Sequence, residues 1–159
     1  MIFVAVGTQK FPMNRLLRQI DALIASGEIR EEVIAQKGCS DYQPIHYVSR
    51  DFFGREEFDE MVEKCDLLIT HSGVGTILAG LTRGKRVIVY PRLAKYGEHV
   101  DDHQLQIARA FSDQRFVLLC GDTDSLAEKL RQAREETFAS YRSGRTVVLD
   151  TIRAYLESL

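Results

Sequence analysis

The chain is 159 residues long, 45% hydrophobic and 28% charged, the composition of one globular domain large enough to bury a core. Its 21 basic and 23 acidic side chains leave a net charge of −2 at pH 7, which argues against a nucleic-acid binder driven by phosphate contacts. Cys39, Cys65 and Cys120 are widely spaced and form no CxxC pair, so buried free thiols are expected rather than a disulfide framework or a zinc knuckle.

Residues 2–6 are a continuous apolar run, the pattern of a strand buried on both faces of a parallel sheet, and far too short for a signal peptide or a membrane span. The run enters a Gly7-Thr8-Gln9 turn. Pro12 suits the first turn of a helix, in which Leu16, Leu17, Ile20, Leu23 and Ile24 recur at helical spacing until Gly27. Short strands are predicted at 32–36 and 45–48. The link between them is too short for a full crossover helix, so either the crossover is abbreviated or the pair is not parallel. A helix over 56–64 turns Phe58, Met61, Val62 and Cys65 inward. Then come a strand at 66–70, a helix over 76–83 ended by Gly84, a strand at 87–90, a helix over 100–111 and a strand at 115–120. Ser125 and Glu128 fit a capping box opening a helix to about residue 136. Val147, Val148, Ile152, Tyr155, Leu156 and Leu159 make an amphipathic C-terminal helix. The alternation predicts an α/β fold with a doubly wound, mostly parallel sheet of about six strands in a single domain, 1–159. Ligands are expected outside the carboxyl ends of the strands, at 7–10, 71–76 and 91–104.

The turn Ser72-Gly73-x-Gly75-Thr76 is no dinucleotide fingerprint, because Leu78 stands where a third glycine would be. Nor do residues 80–85 form a P-loop, since Arg86 replaces the magnesium-holding Ser or Thr. What remains is an anion cradle backed by a helix dipole, or a bare strand-to-helix turn. Gly7-Thr8-Gln9 is a second such turn. Residues 98–104 (Glu-His-Val-Asp-Asp-His-Gln) are the most polar stretch. His99 and His103 stand at a metal-ligand spacing, but without a third His or an HExxH pattern no metal is expected. The cluster suits a hydroxyl-rich ligand such as a sugar, or else a solvated first helical turn. His71-Ser72 lacks the GxSxG elbow of a serine hydrolase. Phe52 and Phe53 either wall a base pocket or join the core. Arg92 is expected to be an exposed charge, with a phosphate contact as the alternative.

Taken together, Val6-Gly7-Thr8, the run Cys65-Asp66-Leu67-Leu68-Ile69-Thr70-His71-Ser72-Gly73-Val74-Gly75-Thr76-Ile77, Gly84-Lys85, Pro91-Arg92 and Gly97-Glu98-His99-Val100-Asp101-Asp102-His103-Gln104 resemble the MurG-like, nucleotide-sugar-binding C-terminal domain of the family 28 glycosyltransferases. Within that family the likeness is to short bacterial chains that build capsule and exopolysaccharide units with a separate membrane partner. The resemblance implies the donor-binding half of a GT-B fold. Gly7, Thr8, Ser72, Gly73, Gly75 and Thr76 would line the diphosphate of a UDP-sugar. Glu98, His99, Asp102, His103 and Gln104 would face the sugar, with Gln104 matching the glutamine that contacts hexose hydroxyls. Ala79 falls where relatives often carry a ribose-gripping glutamate.

The implied reaction is inverting transfer with no metal or other cofactor. The main base would lie on a membrane-associated acceptor-binding subunit that brings a lipid-linked glycan acceptor, with His99 as a fallback. The chain would be cytoplasmic, peripheral at the inner face of the membrane, and 145–159 would dock the partner or pack on the core. The alternatives are a non-catalytic nucleotide-sugar-binding module, or a hydrolase or metal enzyme using His71, His99 and His103.

Overall fold

Six parallel strands form one sheet: β1 (Ile2–Ala5), β2 (Val33–Gln36), β3 (Val48–Arg50), β4 (Leu67–Thr70), β5 (Arg86–Val89) and β6 (Leu118–Leu119), in the order β3-β2-β1-β4-β5-β6. Helices α1 (Asn14–Ala25), α2 (Arg55–Lys64), α3 (Val74–Thr82), α4 (His103–Asp113) and α5 (Leu126–Glu135) connect and cover it. The computed structural model describes residues 1–141 together with Arg153 and Glu157. Apart from those two positions, the helix expected over 145–159 lies outside the described residues.

The continuous apolar runs arise because β1, β4 and β5 each feed two cores. Ile2, Val4, Ile69 and Ile88 pack under α1 (Leu16, Leu17, Ile20) and α5 (Leu126, Leu130) on one face. Phe3, Ala5, Leu68, Val87 and Val89 pack under α2 (Val62), α3 (Ile77, Leu81) and α4 (Ala108, Phe111) on the other. Gly80 brings α3 down onto the sheet: a β-carbon there would stand 2.8 Å from Leu68 Cδ2 and 2.9 Å from Val87 Cγ2. The register aligns Ala5 with both Gln36 and Thr70. The loops after β1, β2 and β4 therefore leave the sheet at one level, and the order reverses between β1 and β4. This is the topological switch point where open α/β sheets bind ligands.

Several boundaries differ from the sequence reading. The β2–β3 pair is parallel, joined without a helix in the crossover. A buried carboxylate on α1 takes the helix's place in holding the link. Asp21 accepts hydrogen bonds from Tyr42 Oη (2.5 Å), Ile45 N (2.9 Å) and His46 N (2.9 Å), and Tyr47 Oη donates to Leu17 O at 2.9 Å. Because the Ile45 and His46 amides serve Asp21, β3 starts only at Val48 and Ile45 is 77% exposed. Pro12 lies outside α1, which opens after Met13, whose N–H donates to Ser40 Oγ at 2.8 Å. Helix α4 begins three residues later than expected, because the Asp101 carboxylate captures the His103 N–H at 3.0 Å in a turn of its own. Arg115 takes a left-handed φ of 63° and β6 shrinks accordingly. Ser125 caps α5 by accepting from Glu128 N. Cys65 and Cys120 are buried free thiols as expected, whereas Cys39 is exposed.

Candidate functional site

At the switch point the chain leaves β1 through Gly7, whose φ of +85° a side chain rarely adopts. It leaves β4 through His71, Ser72 and Gly73 into α3. Gly73 is the N-cap of α3 and supplies no side-chain cap, and the first intrahelical bond runs from Ile77 N to Gly73 O. The preceding helix amides have no partner within the helix, so the positive end of its dipole faces outward. Before it opens a cleft of about 470 Å³, floored by Gly7, Thr8, His71, Gly73, Gly75 and Thr76. Its other lining residues are Gln9, Gln36, Phe53, Arg55 and Phe58. Gln36 Oε1 accepts the Phe53 N–H at 3.0 Å, and the Phe53 ring meets Phe3 edge-on at 5.7 Å. Phe53 thus walls the cleft while rooted in the core. A β-carbon on Gly75 would meet nothing within 4 Å, so this glycine leaves open space in front of the helix.

Within that floor the His71 ring is clasped between the two turns. A β-carbon on Gly7 would stand 2.5 Å from His71 Nε2, and one on Gly73 2.4 Å from its Cε1. Both positions therefore have to be glycine for the ring to fit. His71 is 6% exposed. Burial, followed by the nearby charge of Arg92, lowers its pKa to about 4. Its Nδ1 lies 3.1 Å from Gln104 Nε2. Gln104 Oε1 accepts from Ser72 N at 3.2 Å and Arg92 N at 3.1 Å, which ties the loops after β4 and β5 to α4.

The sequence profile of the glycosyltransferase family 28 C-terminal domain matches residues 1–148. The chain belongs to this family. Over 79 residues it is 33% identical to the UDP-N-acetylglucosamine transferase subunit ALG13 of Yarrowia lipolytica (strain CLIB 122 / E 150). That stretch covers 48% of this chain and only 38% of the relative's length. An NMR solution structure of ALG13 superposes with a TM-score of 0.61 at 19% identity, covering 97% of this chain and 94% of that one. A glycotransferase of kitacinnamycin superposes with a TM-score of 0.61 at 16% identity, covering 98% of this chain and 38% of the other. At such identities the likeness shows the fold, which matches one half of a GT-B glycosyltransferase.

In this family 28 domain the structure brings Gly7, Thr8, Gly73, Gly75 and Thr76 together around the cleft. Ser72 lies behind the turn, 1% exposed, and its Oγ has no hydrogen-bond partner among the described residues. The polar stretch behaves differently from what was expected of it. Glu98 is 2% exposed, and its carboxylate takes Arg15 Nε (3.0 Å), Arg15 Nη2 (2.8 Å) and Leu93 N (3.1 Å). Gln104 is likewise 5% exposed and bonded to protein. These two side chains hold loops together in this structure. Asp102 and His103 are exposed, with Asp102 Oδ1 accepting from Ala94 N at 2.9 Å. His99 packs against the Phe11 ring, centroids 5.9 Å apart, with Asp101 Oδ1 3.2 Å from its Nδ1.

Arg92 is no surface charge at all. It is 0% exposed and donates to Phe11 O (2.7 Å), Glu98 O (3.1 Å) and Val6 O. Among the described residues no three His, Cys, Asp or Glu side chains converge as a metal site, and no helix there is long and apolar enough to cross a membrane.

Sequence reasoning missed Arg55 and Gln36 in the cleft lining, and Arg15, whose guanidinium stacks 4.5 Å from the Tyr90 ring and 4.4 Å from Tyr96. Arg55 carries a usable signal, a cation at the first turn of a helix that follows a strand end. Arg15 has none, because its partners lie 75 or more residues away in the chain.

Proposed function

We propose that this chain binds the nucleotide-sugar donor of an inverting, UDP-sugar-dependent glycosyltransferase. It works with a membrane-associated subunit that brings a lipid-linked acceptor, at the inner face of the membrane, in exopolysaccharide or capsule synthesis. The observation that carries the reading is the uncapped N-terminus of α3 facing the Gly7 turn across a cleft at the switch point of the sheet. Amides aimed at one spot, close-approach glycines and a helix dipole suit a diphosphate. Phe53 and Arg55 offer a ring and a cation in the lining of the same cleft, suited to the base and the remaining anionic oxygens.

In the proposed reaction an acceptor hydroxyl attacks the anomeric carbon from the face opposite the diphosphate. The bond from that carbon to the UDP oxygen breaks, and the charge that collects on UDP is met by the α3 amides, whose cost of orientation is already met by the fold. A base must take the acceptor proton. His71 cannot serve, since its Nδ1 is engaged by Gln104 behind the cleft floor. A base from the second subunit fits this arrangement, as does a relative whose own name makes it a subunit. His99, partly buried beside Asp101, is the local alternative.

The test is calorimetric titration of UDP into the wild-type chain and Gly75→Asp, followed by transfer assays with UDP-sugars and the co-expressed partner. UDP binding that Gly75→Asp abolishes without changing the fold is expected, with transfer only when the partner is present. Binding without transfer under every partner condition would favour a non-catalytic module, and no binding of any UDP-sugar would reject the donor site.

A further inference from the structure

We propose that Gln104 is a positioning residue. It fixes His71 in the tautomer that carries its hydrogen on Nε2, so that a neutral imidazole presents a donor between the Gly7 and Gly73 turns to the diphosphate of the nucleotide. The inference deepens the donor-site reading above and rests on it.

The orientation of the Gln104 amide is set by its neighbours. Two backbone N–H groups, of Ser72 at 3.2 Å and Arg92 at 3.1 Å, converge on one end of it. Donors require an acceptor, so that end is the carbonyl oxygen and the other is the NH2. The NH2 lies 3.1 Å from His71 Nδ1 and donates to it. A nitrogen that accepts has no hydrogen of its own, so in the neutral ring the hydrogen resides on Nε2. The Nδ1 side of the ring is thus turned to Gln104, while the Nε2 edge lies against both glycine turns and the ring lines the cleft.

Three elements impose this arrangement together. The ring comes from the end of β4, the amide from α4, and the second anchoring N–H from the end of β5. The charged or titratable groups acting on the ring are Arg92 from the loop after β5 and His99 from the loop before α4. Both disfavour an imidazolium, as does burial. His71 therefore offers its donor in the same form across the physiological pH range. A merely structural glutamine would satisfy Ser72 N and Arg92 N equally well without governing where the His71 hydrogen sits.

The uniformly 15N-labelled full chain, without ligand, is examined by long-range proton–nitrogen correlation of its histidine side chains. An Nε2–H tautomer for His71, unchanged from pH 5.5 to 8, is expected. An Nδ1–H tautomer, or a cation within that range, overturns the proposal whether or not UDP binds. Addition of UDP should then move the His71 Nε2 resonance, and an unmoved resonance at saturation overturns the phosphate contact. In Gln104→Glu the carboxylate still accepts both backbone N–H groups but cannot donate to Nδ1. His71 should switch to Nδ1–H or titrate between pH 5.5 and 8, with UDP bound at least tenfold more weakly at pH 7.5. Wild-type affinity in that variant, with its backbone amide spectrum preserved, overturns the positioning role. A wild-type chain with the expected tautomer that binds no UDP refutes the donor site itself, and with it the diphosphate contact.

Discussion

Replacing His71 with Asn should remove an acid-labile part of the stability and leave the rest of the pH dependence in place. Asn keeps an acceptor near the Nδ1 position for Gln104 but has no proton to gain. The His71 pKa is about 4 in the fold against an ordinary value of 6.5. Between those values the unfolded chain binds a proton that the folded chain refuses, so stability rises with pH across that window. The contribution of the neutral ring is complete above pH 6.5 and is lost as the pH falls toward 4. At about 1.4 kcal/mol per pH unit, the loss down to pH 4 is about 3 kcal/mol. Urea unfolding followed by circular dichroism, which suits a chain without Trp, gives both stabilities at a series of pH values. The wild type should lead His71→Asn at pH 7.5, and that lead should shrink by about 3 kcal/mol by pH 4. Taking the difference cancels the carboxylates common to both proteins. A lead that stays constant across the range, or widens toward acid, would refute the claim that the ring is buried and neutral.

Two glycines of α3 should respond oppositely to alanine. Gly75→Ala enters open space and should leave stability unchanged or raise it by up to about 1 kcal/mol through helix propensity, while weakening UDP binding. Gly80→Ala meets Leu68 and Val87 at under 3.0 Å and should cost about 1–2 kcal/mol after that propensity gain; equal thermal midpoints for the two variants would contradict the packing argument. Asp21→Ala should lose about 3 kcal/mol and speed hydrogen exchange of the Ile45 and His46 amides, because it strips three donors of a charged acceptor. Burial raises the Asp21 pKa, but the Tyr42, Ile45 and His46 donors together outweigh it and hold the group below the usual carboxylate range. The stability it contributes is present above the unfolded value of 3.8 and disappears as the pH falls through the folded one, so Asp21→Ala should have a flatter acid limb than the wild type.

The apolar runs at β1, β4 and β5 and the spacing of Leu16, Leu17 and Ile20 were legible because period and burial are local properties of a chain. The two glycine turns were legible for the same reason. Other features were not. The β2–β3 link looked too short for a full crossover helix and left open an abbreviated crossover or a non-parallel pair; the abbreviated parallel crossover is held by Asp21, far back in the sequence on α1. The stretch 98–104 looked like a ligand-facing cluster because polarity near a strand end usually points to solvent. Yet Glu98 faces Arg15 and Gln104 faces His71, 83 and 33 residues away. Arg92 looked exposed because arginines mostly are, and three carbonyl groups from two loops, those after β1 and β5, give it a buried place.

The sequence by itself determined the alternation of strand and helix, the family, and the position of the anion-facing turns. All three are written in contiguous residues, whose spacing dictates local geometry. The tertiary structure alone decided which polar side chains remain open to a ligand and which are consumed in holding the cleft. A buried donor or acceptor must be satisfied wherever a partner can be found, and in this fold the partners of Arg15, His71, Arg92 and Gln104 come from loops and from α4, which only the assembled sheet brings together.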